Sequence, residues 1–160
     1  MNDQKHFLSL SLLFIVLGIA IIFYFVPTAL AAGYTITTIA GNGTAGTSDG
    51  AGNPLNIQLS VPTGVAVDGN GNVFVCDEEN RRVYKLTRQA NAAYVSAVIK
   101  SFTKEINGQY EIYEKPQGIA VVPGGSLYLA TIKLQFNKSN SSIATIGGYL
   151  YKLTPDGGGY

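Results

Sequence analysis

Carboxylate and amide side chains alternate in one short stretch of the chain. Asp68, Asn70 and Asn72 stand at every second position, as the first ligands of a calcium loop do, and Glu79 takes the twelfth place of that loop. Oxygen ligands at this spacing suit a hard cation. Val73 replaces the glycine that such a loop needs at its sixth position, however, and an apolar run follows it. We therefore interpret the stretch as a hairpin turn, and no metal ligands are predicted.

Two further features have the residue types of a catalytic site. The trio Asp77–Glu79 offers carboxylates for metal binding or acid–base chemistry, but Arg81 and Arg82 follow it, which favours a solvated turn with local ion pairs. Cys76 is the single cysteine, so it cannot form an internal disulfide. The one histidine, His6, lies in the N-terminal segment over 1–31 described below, so no histidine base accompanies Cys76 after that segment is removed. We interpret Cys76 as a small core residue, and no catalytic residue is predicted.

A glycine-rich loop over 41–52 has the composition of a phosphate cradle. It lacks the Gly-Lys-Ser/Thr ending of a P-loop, and no amphipathic helix follows it. A plain connection is the better interpretation, and no cofactor is predicted.

The N-terminal segment is typical of an export signal. The run from Phe7 to Val26 has no charged residue, follows Lys5, and is succeeded by the small-residue pattern that ends at Ala31. We predict a signal peptide over 1–31 that is cleaved after Ala31. The alternative is an uncleaved membrane anchor, because the run is long enough to span a bilayer. Both interpretations place residues 32–160 outside the cytoplasm, in a secreted, periplasmic or cell-surface protein.

Composition narrows the class of partner. The formal net charge is +1 and charged residues make up 13% of the chain, so a nucleic-acid-binding surface is not expected. A protein, peptide or glycan ligand fits better, and a membrane enters only if the N-terminal segment is uncleaved. The chain has 19 glycines and 10 tyrosines, which is typical of β-strands joined by tight turns.

The exported part contains a near-repeat. The segment from Pro62 to Asp68 recurs from Pro116 to Val122, and Gly64 returns as Gly118, 54 positions later. The apolar runs are continuous, which indicates strands covered on both faces, whereas the links between them are hairpin-sized, which requires antiparallel pairing. A β-propeller blade satisfies both conditions. We predict an all-β fold with blades over about 61–102 and 115–160, preceded by a strand of a flanking blade over 34–40.

The second copy is longer than the first. Between its glycine and its Lys-Leu-Thr ending it carries 13 more residues than the first copy, and these fall around Leu134–Ile143. An insertion in a repeat usually forms a loop on one face, and that face often binds a ligand. Between the copies, the Asn107-Gly108 pair is a hairpin signal.

These segments resemble the NHL repeat. The resemblance covers about fifty residues, from Ile36 through the start of the glycine-rich loop and Pro62–Asp68 to Asn80, Arg82 and Lys85. It implies four-stranded blades that usually close into a six-bladed propeller, with Asp77, Asn80 and Arg82 as structural residues of the inter-strand turn. The sequence departs from the pattern at Glu78 and Glu79. The second copy, which also looks like blades of quinoprotein sugar dehydrogenases, lacks the Asp/Asn/Arg turn.

Length limits the propeller to two or three blades. At about 40–45 residues per blade, the exported part does not fill a ring, so we expect either a fragment or a chain that self-associates through open blade edges. The predicted function is a binding module without a catalytic constellation. The alternative is a fragment of a propeller enzyme, such as a quinoprotein sugar dehydrogenase, a lactonase-like hydrolase or an amidating lyase.

Overall fold

The structure, a computed structural model, describes residues 33–155. Residues 33–36 group with the N-terminal residues, and the compact unit that begins at Thr37 contains every helix and strand described below. The predicted signal peptide over 1–31 and its cleavage site lie outside the described residues. Between residues 33 and 155, no helix has both the length and the apolar character needed to cross a membrane.

Two short 3-10 helices, Gly50–Gly52 and Pro54–Asn56, precede nine strands. The strands are β1 (Pro62–Val67), β2 (Val73–Asp77), β3 (Arg82–Arg88), β4 (Tyr94–Ser101), β5 (Glu105–Asn107), β6 (Tyr110–Val121), β7 (Leu127–Asn137), β8 (Ile143–Gly147) and β9 (Leu150–Leu153).

The strands form two antiparallel sheets. The first has the order β1-β2-β3-β4, so each strand pairs with the next along the chain. The second has the order β5-β6-β7-β8. Strand β9 also pairs with β7, along Leu127–Ala130, whereas β8 pairs with Lys133–Phe136 of the same strand. The described chain is all-β and has the sheet arrangement of a partial β-propeller, as predicted. We call the first sheet blade 1.

A side chain closes the hairpin between β1 and β2. Asp68 Oδ1 accepts hydrogen bonds from the backbone N–H groups of Asn70 and Asn72, each at 2.9 Å, and Oδ2 accepts one from Asn72 Nδ2 at 2.7 Å. Gly71 takes the left-handed conformation that the turn needs, with φ of 80°. The carboxylate oxygens therefore serve the turn, which confirms the hairpin interpretation of this calcium-like stretch.

The two central strands of blade 1, β2 and β3, are covered on both faces. Alternating residues of β2 and β3 point to opposite sides, so Val73, Tyr84 and Leu86 enter one apolar cluster, while Cys76 and Val83 enter the other. Ile57 completes the first cluster from outside the sheet. The cover on this side is thus the irregular segment before β1, where the sequence pattern predicted a blade, and the second sheet covers the other side.

The strand predicted over 34–40 is absent from the structure. This segment has no strand assignment, and the side chains of Tyr34 and Ile36 are 100% and 98% exposed. Its β-branched residues have a high strand propensity, but propensity yields a strand only where a neighbouring strand supplies a ladder. None of the described strands pairs with it, so this part of the prediction is wrong.

The insertion in the second copy is a sheet extension and not the predicted loop. β7 continues to Asn137, a turn follows, and β8 returns against residues Lys133–Phe136 of β7. On the other side, β6 begins at Tyr110 and β5 pairs with it through the predicted Asn107-Gly108 hairpin. We call this extension, residues 105–115 and 132–147, the arm. The remaining residues of β6 and β7, together with β9, form blade 2.

The two blades meet along their first strands. A methyl group built on Gly64 of β1 would lie 3.1 Å from both the Gln117 carbonyl oxygen and the Gly118 Cα of β6. Glycine therefore permits two backbones to approach at the position where the repeat begins. This contact fixes the arm above the turn between β2 and β3.

Candidate functional site

A groove of about 430 Å³ lies between the β2–β3 turn of blade 1 and the arm. The side chains that line it are Glu79, Arg81, Tyr113, Lys115, Leu134, Phe136 and Ile143. We call it the arm groove.

Strand alternation places the arm residues of the groove on one face. Tyr113 and Lys115 stand two positions apart on β6, so they point to the same side of the sheet. Leu134 lies opposite Tyr113 on β7, and Ile143 of β8 lies opposite Phe136. The result is an aromatic and aliphatic wall that faces the charged turn of blade 1.

A hydrogen-bond network fixes the shape of that turn. Asn80 Nδ2 donates to Asp77 Oδ2 at 2.7 Å and to the Gln58 carbonyl at 2.9 Å, and the Ser60 N–H donates to Asp77 Oδ1 at 2.7 Å. Burial raises the pKa of Asp77, and the hydrogen bonds from Asn80 and Ser60 oppose that rise. Arg82 adds a bond from Nη1 to the Thr47 carbonyl at 2.9 Å. These contacts confirm the structural role that the NHL resemblance implies for these three residues.

Arg81 stands at the mouth of the arm groove in a strained backbone conformation. Its φ is 54°, in the left-handed region that non-glycine residues rarely adopt. The guanidinium carbon lies 5.6 Å from the centre of the Tyr113 ring, which is the geometry of a cation–π contact. The Arg81 Nε is buried and has no hydrogen-bond partner among the described residues. The arm groove therefore contains a positioned cation with spare donor capacity.

Lys115 joins the arm to blade 1. Its Nζ makes a close contact with a Glu79 carboxylate oxygen and lies 3.8 Å from Glu78 Oε1. The Lys115 side chain is only 12% exposed, so the pair is partly shielded from water. The prediction of a solvated turn with local ion pairs is therefore wrong in part. Glu78 and Glu79 pair with Lys115 of the second sheet. Asp77 is fully buried in the turn network.

A second charged cluster lies farther out on the arm. The Tyr113 hydroxyl donates to Glu111, which also accepts from Lys104 Nζ at 3.1 Å and has Lys138 Nζ at 3.8 Å. The hydrogen bonds from Tyr113 and Lys104 lower the pKa of Glu111, and the bond to Glu111 raises the pKa of Tyr113. This cluster orients the Tyr113 ring on which the Arg81 guanidinium rests.

The remaining sequence candidates lie away from the arm groove. Cys76 is fully buried between the blades, and desolvation raises the pKa of its thiol to about 11. Asp68 and its turn line a second cavity, of about 690 Å³, together with Pro123 and Gly124 of the β6–β7 turn. Within residues 33–155, no three His, Cys, Asp or Glu side chains are grouped so that they could hold a metal ion.

The sequence predicted that the insertion around Leu134–Ile143 lies on a face suited to ligand binding, but it did not indicate most of the residues that line the groove. Arg81 is distant along the chain from Tyr113 and Lys115, and the three residues match no motif. One available signal was the alternation of Leu134 and Phe136 with polar residues, which is typical of a half-buried strand.

The fold and the turn network define a β-propeller blade with a sheet extension. The family model of the NHL repeat matches residues 59–85, which run from the segment before β1 into β3. This match confirms the NHL resemblance for that stretch. None of the curated proteins compared with the chain matches it.

Proposed function

We propose that the chain is a binding module and that the arm groove takes a peptide segment of a partner protein, with a carboxylate placed beside an apolar side chain. The carboxylate meets Arg81, and the apolar side chain meets the wall formed by Leu134, Phe136 and Ile143. The propeller supplies the rigid frame, and the arm supplies the residues that distinguish this surface from a plain blade.

The observation that carries the proposal is that the Arg81 side chain is held in place but lacks a hydrogen-bond partner at Nε among the described residues. Its guanidinium rests on Tyr113 while its Nε is buried without a partner, and an unpaired buried donor is costly. A ligand carboxylate supplies the acceptor and pairs with the guanidinium through two parallel hydrogen bonds. The neighbouring Lys115 is already engaged by Glu79, so Arg81 is the cation that remains to receive the ligand.

The edge of the arm favours a peptide over a glycan. β8 is the last strand in the order of its sheet, and each of its five residues is exposed. One of them, Ile143, also lines the arm groove and is 68% exposed. An extended peptide that pairs with the free backbone edge of β8 would place alternate side chains over the groove.

The test is a selection of ligands with a matched variant. The purified full chain is screened against a phage library of random dodecapeptides and, in parallel, against a glycan array. We expect the selected peptides to carry Asp or Glu next to a large apolar residue. Arg81→Asn removes the guanidinium but suits the left-handed backbone, and we expect it to weaken binding of the selected peptides by at least tenfold.

Lys152→Asn is the control, because Lys152 is exposed on β9 and does not line the arm groove. It should leave the affinity unchanged. Selection of glycans, or of peptides that bind the Arg81→Asn variant as tightly as the parent chain, would contradict the proposal.

We also propose that the module acts outside the cytoplasm. The support is the charge-free run before Ala31 and the small-residue pattern that ends there. N-terminal sequencing of the chain recovered from an exporting host should begin at Ala32. Recovery of an intact N-terminus in the membrane fraction would favour the anchor instead.

A further inference from the structure

The contact between the blades uses two different faces. Blade 1 contributes the face that carries Gly64, Phe74, Cys76 and Val83, which we call the receiving face. Blade 2 contributes the other side of its sheet, which carries Ile119, Leu129 and Tyr151 and which we call the inserting face. The interface is therefore heterologous, because the receiving face of one repeat packs against the inserting face of the other.

Blade 2 has its own receiving face. The repeat offset relates Gly118, Ala120, Tyr128 and Ala130 to Gly64, Ala66, Phe74 and Cys76. The strand register confirms that these four lie together, since Gly118 pairs with Ala130 and Ala120 pairs with Tyr128.

Much of this second receiving face is open to solvent, with Gly118 and Tyr128 partly buried. Ala120 and Ala130 are exposed. A methyl group built on Gly118 meets nothing within 4 Å, whereas one on Gly64 would press on the β6 backbone. The same small residues that admit a neighbouring strand in blade 1 are thus present and open in blade 2.

Blade 1 in turn has an open inserting strand. Val65 and Val67 occupy the repeat positions of Ile119 and Val121, and their side chains are 66% and 60% exposed. The segment before β1 covers Val73 and Tyr84 on the same face of the sheet but leaves these two valines in solvent. Exposed β-branched residues on the first strand of a blade are suited to packing against another sheet.

We propose that a second copy of this chain docks head to tail, with the Val65 and Val67 strand of one copy seated on the Gly118, Ala120 and Ala130 face of the next. The argument for this occupant is that the chain already contains the required interface once. The fit of β6 against Gly64 shows that an inserting strand and a receiving face of these sequences pack together. A heterologous contact of this kind extends an arc of blades and, where the rotation closes, completes a ring.

Cysteine cross-linking of the full chain tests the geometry directly. Val65→Cys and Ala120→Cys are small changes at exposed positions, and the buried Cys76 contributes little background because burial suppresses its thiolate. With a short bismaleimide, the double variant should give a ladder of covalent dimers, trimers and larger species. A mixture of the two single variants should stop at the dimer, and each single variant alone should remain monomeric.

Two controls separate docking from chance collision. Pairing Val65→Cys with Ser139→Cys at the exposed tip of the arm should give no ladder. Adding Gly118→Phe to the double variant should abolish the ladder without altering the unfolding midpoint, because the new side chain enters open space within its own chain. A monomeric double variant, dimers of a single variant, or a ladder that survives Gly118→Phe would each overturn the proposal.

Discussion

Asp77 shows how much of the site depends on a single side chain. It is fully buried at the end of β2, and its two oxygens hold the Ser60 N–H and the Asn80 amide. Asn80 in turn holds the carbonyls of Gly46 and Gln58, so the segment before β1 is tied to the β2–β3 turn. The position of Arg81 at the arm groove follows from this network, because Arg81 is the next residue of the same turn.

Asp77→Asn should destabilise the chain by about 1–3 kcal/mol, because the amide oxygen can accept one of the two hydrogen bonds while the NH2 group faces the other donor. The stability of the parent chain also depends on pH through the ionisation of Asp77. Burial raises the pKa of Asp77 above its ordinary value of 3.8, so the folded chain binds this proton more tightly than the unfolded chain does. The contribution of Asp77 to stability is therefore present at low pH and falls as the pH rises through the folded pKa.

The measurement is urea unfolding of both proteins at several pH values from 3 to 7. The difference in unfolding free energy between the parent and Asp77→Asn should shrink as the pH rises above about 4. A difference that grows over this range would show that the pKa of Asp77 is lowered in the folded chain.

Cys76 should be chemically inert in the folded chain. Its thiol is fully buried, and desolvation raises its pKa to about 11, so almost no thiolate exists at pH 8. Ellman's reagent should react with one thiol per chain in 6 M guanidinium chloride and with none in buffer over the same period. Full reaction in buffer would show that the blades separate readily.

The elements of the fold were predictable to different degrees. The strands of blade 1 follow from continuous apolar runs between Gly/Asn turns, and together they extend from Pro62 to Ser101, close to the predicted blade over about 61–102. The arm was hidden because its alternating strand pattern leads into the polar turn over 137–142, which has the composition of a loop. For the segment over 34–40 the composition predicts a strand, but it does not form, because none of the described strands pairs with it. The arm groove could not be predicted, because it depends on contacts between distant residues.

The arm is joined to blade 2 through Thr131. Its hydroxyl donates to Glu114 Oε1 at 2.7 Å and accepts from the Tyr149 N–H at 3.2 Å. Tyr151 donates to the same Glu114 oxygen at 2.8 Å, and burial together with this bond raises the pKa of Tyr151 to about 12. The network holds the link between β8 and β9 against β7.

Thr131→Val should cost about 1–3 kcal/mol of stability, because it keeps the side-chain shape but leaves the Glu114 carboxylate and the Tyr149 N–H short of a partner. Thermal unfolding gives the free-energy change. Hydrogen exchange provides the specific readout, since the Tyr149 amide should lose protection in Thr131→Val and retain it in Thr131→Ser. Equal exchange in the two variants would mean that the hydroxyl does not hold this link.

At the scale of the whole molecule, two features hold the blades together. One is the partly shielded contact between Lys115 and the glutamates of the β2–β3 turn. The other is the close approach of β1 and β6 above the apolar cluster of Cys76, Val83 and Leu129. Both contacts keep the arm beside the β2–β3 turn, and the arm groove exists only while the arm stays there.

Gly64→Ala tests that approach. The added methyl would meet the Gln117 carbonyl oxygen and the Gly118 Cα at 3.1 Å, and both are backbone atoms that cannot rotate away. We expect a loss of about 1–3 kcal/mol, typical of overpacking between rigid elements. Gly69→Ala is the matched control, because a methyl at Gly69 has nothing within 4 Å. Chemical denaturation of both variants gives the comparison, and the Gly64 variant should also expose Cys76 to Ellman's reagent as the blades part. Equal stability of the two variants would show that the blades are not in contact along their first strands.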